Sequence, residues 1–236
     1  MTAPTLAYIF PFLVVTALMQ EILKLVARLT DSNRKNGKQS SHSELPRETS
    51  PPGWLAAGSA FAAVLSAVLI RIPVKSITVA GWFLGLNANF SIPLTLVLFS
   101  RVWQNAGGFV LLDRQALRTM WVFGLITGLM LYPAALGLGL ECKFGGMGTL
   151  DLYALGYDSL GLSLPLLALT ILLLFMKNRF GAILVVAMLA YNLQLQESPN
   201  LWDYLVDPFL TLISAMIIVS AIPRYFSMSA ALLKRR

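Results

Sequence analysis

Long apolar runs alternate with short polar segments along this chain. One membrane crossing takes about 20 mostly apolar residues, and seven runs come close to that length. We predict spans at residues 6–26, 54–70, 77–100, 119–140, 160–176, 180–194 and 208–223. The pattern therefore predicts an all-α membrane protein, a polytopic bundle of about seven transmembrane helices, with six as the alternative count.

Composition favours lipid over water as the solvent of these runs. Hydrophobic residues make up 57% of the chain and charged residues 12%, whereas soluble domains are about 45–50% apolar and about 25% charged. A soluble core of this size cannot hide that excess. The predicted divisions are a first transmembrane helix (1–29), a polar, disordered cytoplasmic loop (30–52), a six-helix membrane bundle (53–224) and a basic cytoplasmic tail (225–236).

The basic residues give the predicted orientation, because cytoplasmic loops carry excess Lys and Arg. With seven spans and the N-terminus outside, all 18 Lys and Arg lie inside except Arg71, Lys75 and Lys143. A re-entrant third segment would invert the later spans and remove most of this asymmetry. We therefore expect a multi-pass protein of the cell membrane with a cytoplasmic C-terminus, and the compact loops favour a bacterial cytoplasmic membrane.

The third apolar run, 77–100, is interrupted near its middle by Asn87, Asn89 and Pro93. We favour a kinked helix whose amides bond a neighbouring helix. The alternative is a discontinuous helix with a binding site at Asn87 and Asn89. The following stretch, 104–118, mixes apolar and charged residues and predicts a short helix in the membrane interface.

Two predicted outer segments combine acidic and aromatic residues, among them Tyr153 and Tyr157. The candidate binding residues there are Asp151, Asp158, Glu197, Trp202, Asp203 and Asp207. An interfacial belt of Trp and Tyr is the favoured interpretation, and a binding or catalytic surface is the alternative. Because only residues 177–179 join spans five and six, these spans should form an antiparallel hairpin that makes the two acidic segments neighbours.

The sequence favours a non-enzymatic role. With one cysteine, Cys142, and one histidine, His42, the chain has no Cys-based metal cage and no His-dependent membrane site. We therefore predict no metal and no cofactor. We also predict no nucleic-acid partner, because the basic residues behind the net charge of +7 sort to one side of the bilayer. The expected partners are the lipid bilayer and either a membrane protein or a lipid-linked substrate.

Three functions remain open. The leading hypothesis is an integral membrane subunit or scaffold that docks partners through its helices and an aromatic-acidic outer face. The first alternative is a small permease or lipid-linked substrate handler with a site near Asn87 and Asn89. The second is a membrane enzyme that acts on lipid-linked sugar or phosphate at the outer surface, with aspartates as acid, base or metal ligands.

Overall fold

A computed structural model describes residues 8–36, 53–87, 89–135, 152–157 and 160–233. The described part of the chain is mostly helical, as the apolar runs predict. The helices are α1 (Ile9–Asn36), α2 (Gly53–Leu69), α3 (Val79–Leu86), α4 (Ile92–Asn105), α5 (Arg114–Ala135), α6 (Ser163–Phe175), α7 (Phe180–Asn192), α8 (Leu201–Leu205) and α9 (Pro208–Leu233). The predicted site residues Asp151 and Asp158 lie outside the described residues, as do the single cysteine, Cys142, and the single histidine, His42.

Two of the described helices are long and apolar enough to cross a membrane, over Ile9–Ala27 in α1 and Arg114–Pro133 in α5. Four further apolar stretches are shorter: Ala56–Leu69, Ser163–Phe175, Phe180–Asn192 and Pro208–Ile222. A helix of 13 residues, the length of α6 and of α7, spans about 20 Å, less than the roughly 30 Å of a hydrocarbon core. The count of seven spans therefore stays a prediction.

The chain divides into two compact units. The first unit comprises 1–88 and 97–111, and the second comprises 89–96 and 112–236. In the first unit, α1 packs against α2 and contacts α3. A polar network also joins α1 to the second half of α4, where Glu21 lies 3.3 Å from the Lys24 ammonium and 3.5 Å from the Arg101 guanidinium.

The third predicted span is not one helix, so the expectation of a kinked helix over 77–100 is wrong. Its start belongs to a short antiparallel hairpin of β1 (Pro73–Val74) and β2 (Ile77–Thr78). Lys75 and Ser76 turn the hairpin with φ of 51° and 70°, as a type I′ turn requires. Thr78 then caps α3 by accepting the Gly81 N–H at 3.1 Å, and residues 87–91 separate α3 from α4.

Three other predicted boundaries also differ from the structure. The helix α1 continues to Asn36, so it includes the start of the predicted 30–52 loop, and α9 continues past Pro223 to Leu233. No interfacial helix forms over 104–118, because residues 106–113 are irregular. Asp113 instead caps α5 by accepting the Ala116 N–H at 2.8 Å.

In the second unit, α5 and α9 pack closely through small residues. Gly124 and Gly128 lie one turn apart on α5 and face Leu210, Ser214 and Thr211 of α9. The Thr211 hydroxyl donates to the Gly124 carbonyl at 3.3 Å. Small residues at this spacing let two helices approach closely.

The predicted hairpin of spans five and six is confirmed, since α6 and α7 pack against each other and residues 176–179 join them. Lys177 adopts a φ of 55° in the turn. Asn178 is buried, and its amide donates to the Thr119 hydroxyl at 2.7 Å while its oxygen accepts the Phe180 N–H at 3.0 Å. These bonds tie the turn to the start of α5 and to α7.

Candidate functional site

The two aromatic-acidic loop segments meet within the second unit. The Trp202 indole N–H donates to the Leu152 carbonyl at 2.9 Å, and the Asn200 amide donates to the Tyr153 carbonyl at 3.1 Å. This confirms that the segments are neighbours, over the part that the structure describes. We call residues 152–157 and 198–206 together the loop cap.

Asn200 organises the loop cap from a fully buried position. Its side-chain oxygen accepts the Trp202 N–H at 2.9 Å and so begins α8. Gly156 lies directly over this amide, because a Cβ at residue 156 would fall 1.8 Å from the Asn200 Oδ1. Only glycine allows this close approach. Gly156 is therefore required for the first segment to pack against the start of α8.

Asp203 is the carboxylate at the centre of the loop cap. Both its oxygens lie 3.1 Å from the Tyr153 hydroxyl, which donates to them, and the Ser198 hydroxyl donates to Oδ2. Burial first, and then the negative charge of Asp203, raise the pKa of Tyr153 above its usual range. The Tyr153 hydroxyl therefore keeps its proton at neutral pH and orients the Asp203 carboxylate.

A pocket of about 100 Å³ opens beside this carboxylate. It is lined by Leu131, Tyr132, Tyr153, Trp202, Asp203 and Val206. We call it the Asp203 pocket. Its walls thus combine one carboxylate and three aromatic side chains with two aliphatic ones.

Asp207, the other aspartate of this segment, has a different environment. It is 2% exposed, and its two oxygens accept the Leu210 N–H at 2.8 Å and the Ser91 N–H at 2.7 Å. These donors are the first turn of α9 and the residue before α4, and both helix N-termini carry partial positive charge. Asp207, a candidate binding residue from the sequence, is thus buried and joins the starts of two helices.

The remaining predicted site residues lie elsewhere. Glu197 is exposed and does not line the Asp203 pocket. Asn87 ends α3 in an extended conformation, with its N–H donating to the Phe83 carbonyl at 3.1 Å. Asn89 lies in the bend before α4. Trp202 is 9% exposed and lines the Asp203 pocket.

Sequence reasoning missed Leu131 and Tyr132, which α5 brings to the loop cap from more than 60 positions before α8. No local pattern marks them, because they lie in an apolar run like any other. Across the described residues, no group of three or more His, Cys, Asp and Glu side chains is arranged to hold a metal ion. No protein-family model, curated protein or solved structure matches this chain.

Proposed function

We propose that this chain is a multi-pass membrane protein with its N-terminus outside and its C-terminus in the cytoplasm. The apolar outer faces of its helices support the proposal: Leu212, Met216 and Val219 follow one face of α9, and each is about 60% exposed. Phe61 and Val64 of α2 are exposed to a similar degree. Apolar surface of this extent is unfavourable in water and normal in lipid.

The orientation is tested at the two ends of α7. Lys177 and Glu197 are both exposed and lie before and after this helix. In a Cys142→Ser background, Glu197→Cys should react with an impermeant thiol reagent on intact cells, whereas Lys177→Cys should react only after lysis. Labelling of both positions in intact cells, or of Lys177→Cys alone, would contradict the proposed topology.

Within the membrane, the proposed role is that of a subunit or scaffold that docks a membrane-protein partner on the loop cap. The observation that carries this proposal is the construction of the cap itself. Asn200 and Trp202 bond its two segments together, and the side chains of Tyr153 and Tyr157 remain exposed. A preformed surface with exposed aromatic side chains binds a partner without a large ordering cost.

A photo-crosslinking experiment tests this role. A crosslinking amino acid at Tyr157 should capture one membrane protein in constant ratio from native membranes. The same amino acid at Lys177, exposed on the α6–α7 turn, is the matched control and should not capture it. A protein that purifies alone, with no adduct at Tyr157, would argue against a docking subunit.

A small permease or lipid-linked substrate handler is the second candidate. It is favoured by the interruption between α3 and α4, since discontinuous helices build many transporter sites. The Ser91 hydroxyl at this interruption is buried without a hydrogen-bond partner among the described residues. The double variant Asn87→Leu, Asn89→Leu should then abolish transport while folded protein accumulates. Unchanged transport by the folded variant would remove this candidate.

A further inference from the structure

The Asp203 pocket combines features that select for an organic cation. The faces of Trp and Tyr rings attract cations through the ring quadrupole, and Tyr132, Tyr153 and Trp202 all line the pocket. Ca²⁺ and Mg²⁺ instead require six or more oxygen ligands or retained waters. The aliphatic walls of Leu131 and Val206 suit the methyl and methylene groups of an alkylammonium ion better than they suit a hydrated metal.

The charge at Asp203 is available to such a ligand. The ion pairs found in the described part of the chain both involve Glu21, so Asp203 has no basic partner there. Its hydrogen-bond donors, Tyr153 and Ser198, are neutral hydroxyls. They hold the carboxylate in place and add no positive charge to it.

The size of the pocket limits the ligand to a small group. An apolar cavity of about 150 Å³ binds benzene, and the Asp203 pocket is about 100 Å³. One ammonium group with its methyl or methylene substituents has the right size, whereas a whole sugar ring with its hydroxyls does not. The pocket therefore fits the end of a larger molecule.

The position of the pocket points to the source of that group. Leu131 and Tyr132 belong to the last turn of the candidate span Arg114–Pro133, and the end of a span lies at the depth of the lipid head groups. We propose that the Asp203 pocket binds the alkylammonium group of a phospholipid head group, ethanolamine or choline. This inference rests on the proposed membrane placement and is independent of partner docking.

Binding of soluble amines to the full-length protein in detergent tests the pocket without a bilayer. Calorimetric titration with choline and with ethanolamine should show saturable binding. The neutral carbon isostere of choline, in which a tert-butyl group replaces trimethylammonium, should bind at least about tenfold more weakly, because it keeps the shape and lacks the charge. Equal affinity of choline and its isostere, or no binding of either amine, would overturn the proposal.

Two carboxylate variants locate the binding. Asp203→Asn keeps the shape and an acceptor for Tyr153, and it should weaken choline binding about tenfold or more. Glu197→Gln removes an exposed carboxylate outside the pocket lining and should change the affinity less than about twofold. Unchanged binding by folded Asp203→Asn refutes the pocket as the site. If that variant does not fold, the comparison of choline with its isostere on the wild-type protein still decides.

Lipid retention tests the source of the ammonium group. Protein extracted from mixed vesicles should retain phosphatidylethanolamine or phosphatidylcholine over phosphatidylglycerol, as measured by native mass spectrometry, and Asp203→Asn should lose that preference. Amine binding in detergent without any preference among retained lipids would overturn the head group as the ligand. In that case the pocket would remain an amine-binding site, and only its placement at the lipid head groups would be wrong.

Discussion

Substitution of Gly128 by alanine should loosen the α5–α9 packing. A Cβ at residue 128 would lie 2.2 Å from both the Cγ2 and the Oγ1 of Thr211 and 2.7 Å from its Cβ. Thr211 is β-branched and has few rotamers in a helix, so a rotation of its side chain cannot clear all three contacts. The two helices must therefore separate locally.

The expected magnitude follows from two opposing terms. Overpacking a close interface costs about 1–3 kcal/mol, and the contact at 2.2 Å places Gly128→Ala toward the upper end of that range. Replacing glycine by alanine inside a helix stabilises the helix by about 1 kcal/mol. We expect a net loss of about 2 kcal/mol in the free energy of unfolding.

Gly85→Ala is the matched control, because a Cβ at residue 85 of α3 has no atom within 4 Å. This variant should be neutral or slightly more stable than the wild type. The free energy of unfolding is measured for each by titration with denaturing detergent in mixed micelles. Thr211→Ala should rescue Gly128→Ala in part, since it removes the two nearest atoms and leaves the Cβ contact.

Equal stability of Gly128→Ala and Gly85→Ala would contradict the predicted clash. So would a Thr211→Ala variant that lowers stability by the same amount in the presence and absence of Gly128→Ala, since two residues in contact should be coupled.

Two further predictions concern the aspartate environments. Asp207→Ala should lower the free energy of unfolding by about 1–3 kcal/mol, because it leaves the buried Ser91 N–H unsatisfied and removes the cap of α9; a loss below that of Glu197→Ala in the same titration would contradict this. Raising the pH above about 10, the ordinary pKa of tyrosine, should destabilise the wild type. The raised pKa of Tyr153 means that the unfolded chain loses this proton first, so the stabilisation is complete below the ordinary value and is lost above it. Tyr153→Phe should show a shallower decline, and an equal decline would exclude Tyr153 as the cause.

The helical character of the chain and the pairing of α6 with α7 could both be predicted from the sequence. The length of the apolar runs predicts helices directly. A predicted turn of only three residues, 177–179, requires the helices on either side of it to pack antiparallel. That pairing also brings the loop after α7 close to the loop before α6. That the two acidic segments are neighbours was therefore predictable, although the bond from Trp202 to the Leu152 carbonyl was not.

The interruption of the third run was harder to predict, because its cause lies far away in the chain. The carboxylate that bonds the Ser91 N–H comes from Asp207, 116 positions later. Local pattern shows Asn87, Asn89 and Pro93 as disturbances of a helix, and both a kink and a break are compatible with them. The distant hydrogen bond favours a new helix start at Ile92.

Composition likewise could not separate the two aspartates of the α8 segment. Asp203 and Asp207 lie four residues apart in the same acidic, aromatic stretch, and in the structure they differ in burial and in their hydrogen-bond donors. Asp207 accepts hydrogen bonds from the backbone N–H groups of Ser91 and Leu210. These bonds cannot break without unwinding two helix starts. Asp203 accepts hydrogen bonds from the hydroxyls of Tyr153 and Ser198. A hydroxyl can rotate when a ligand binds while the backbone stays in place. A cation that approaches this segment can therefore be neutralised by Asp203 at little structural cost, whereas the charge of Asp207 is already committed to the fold.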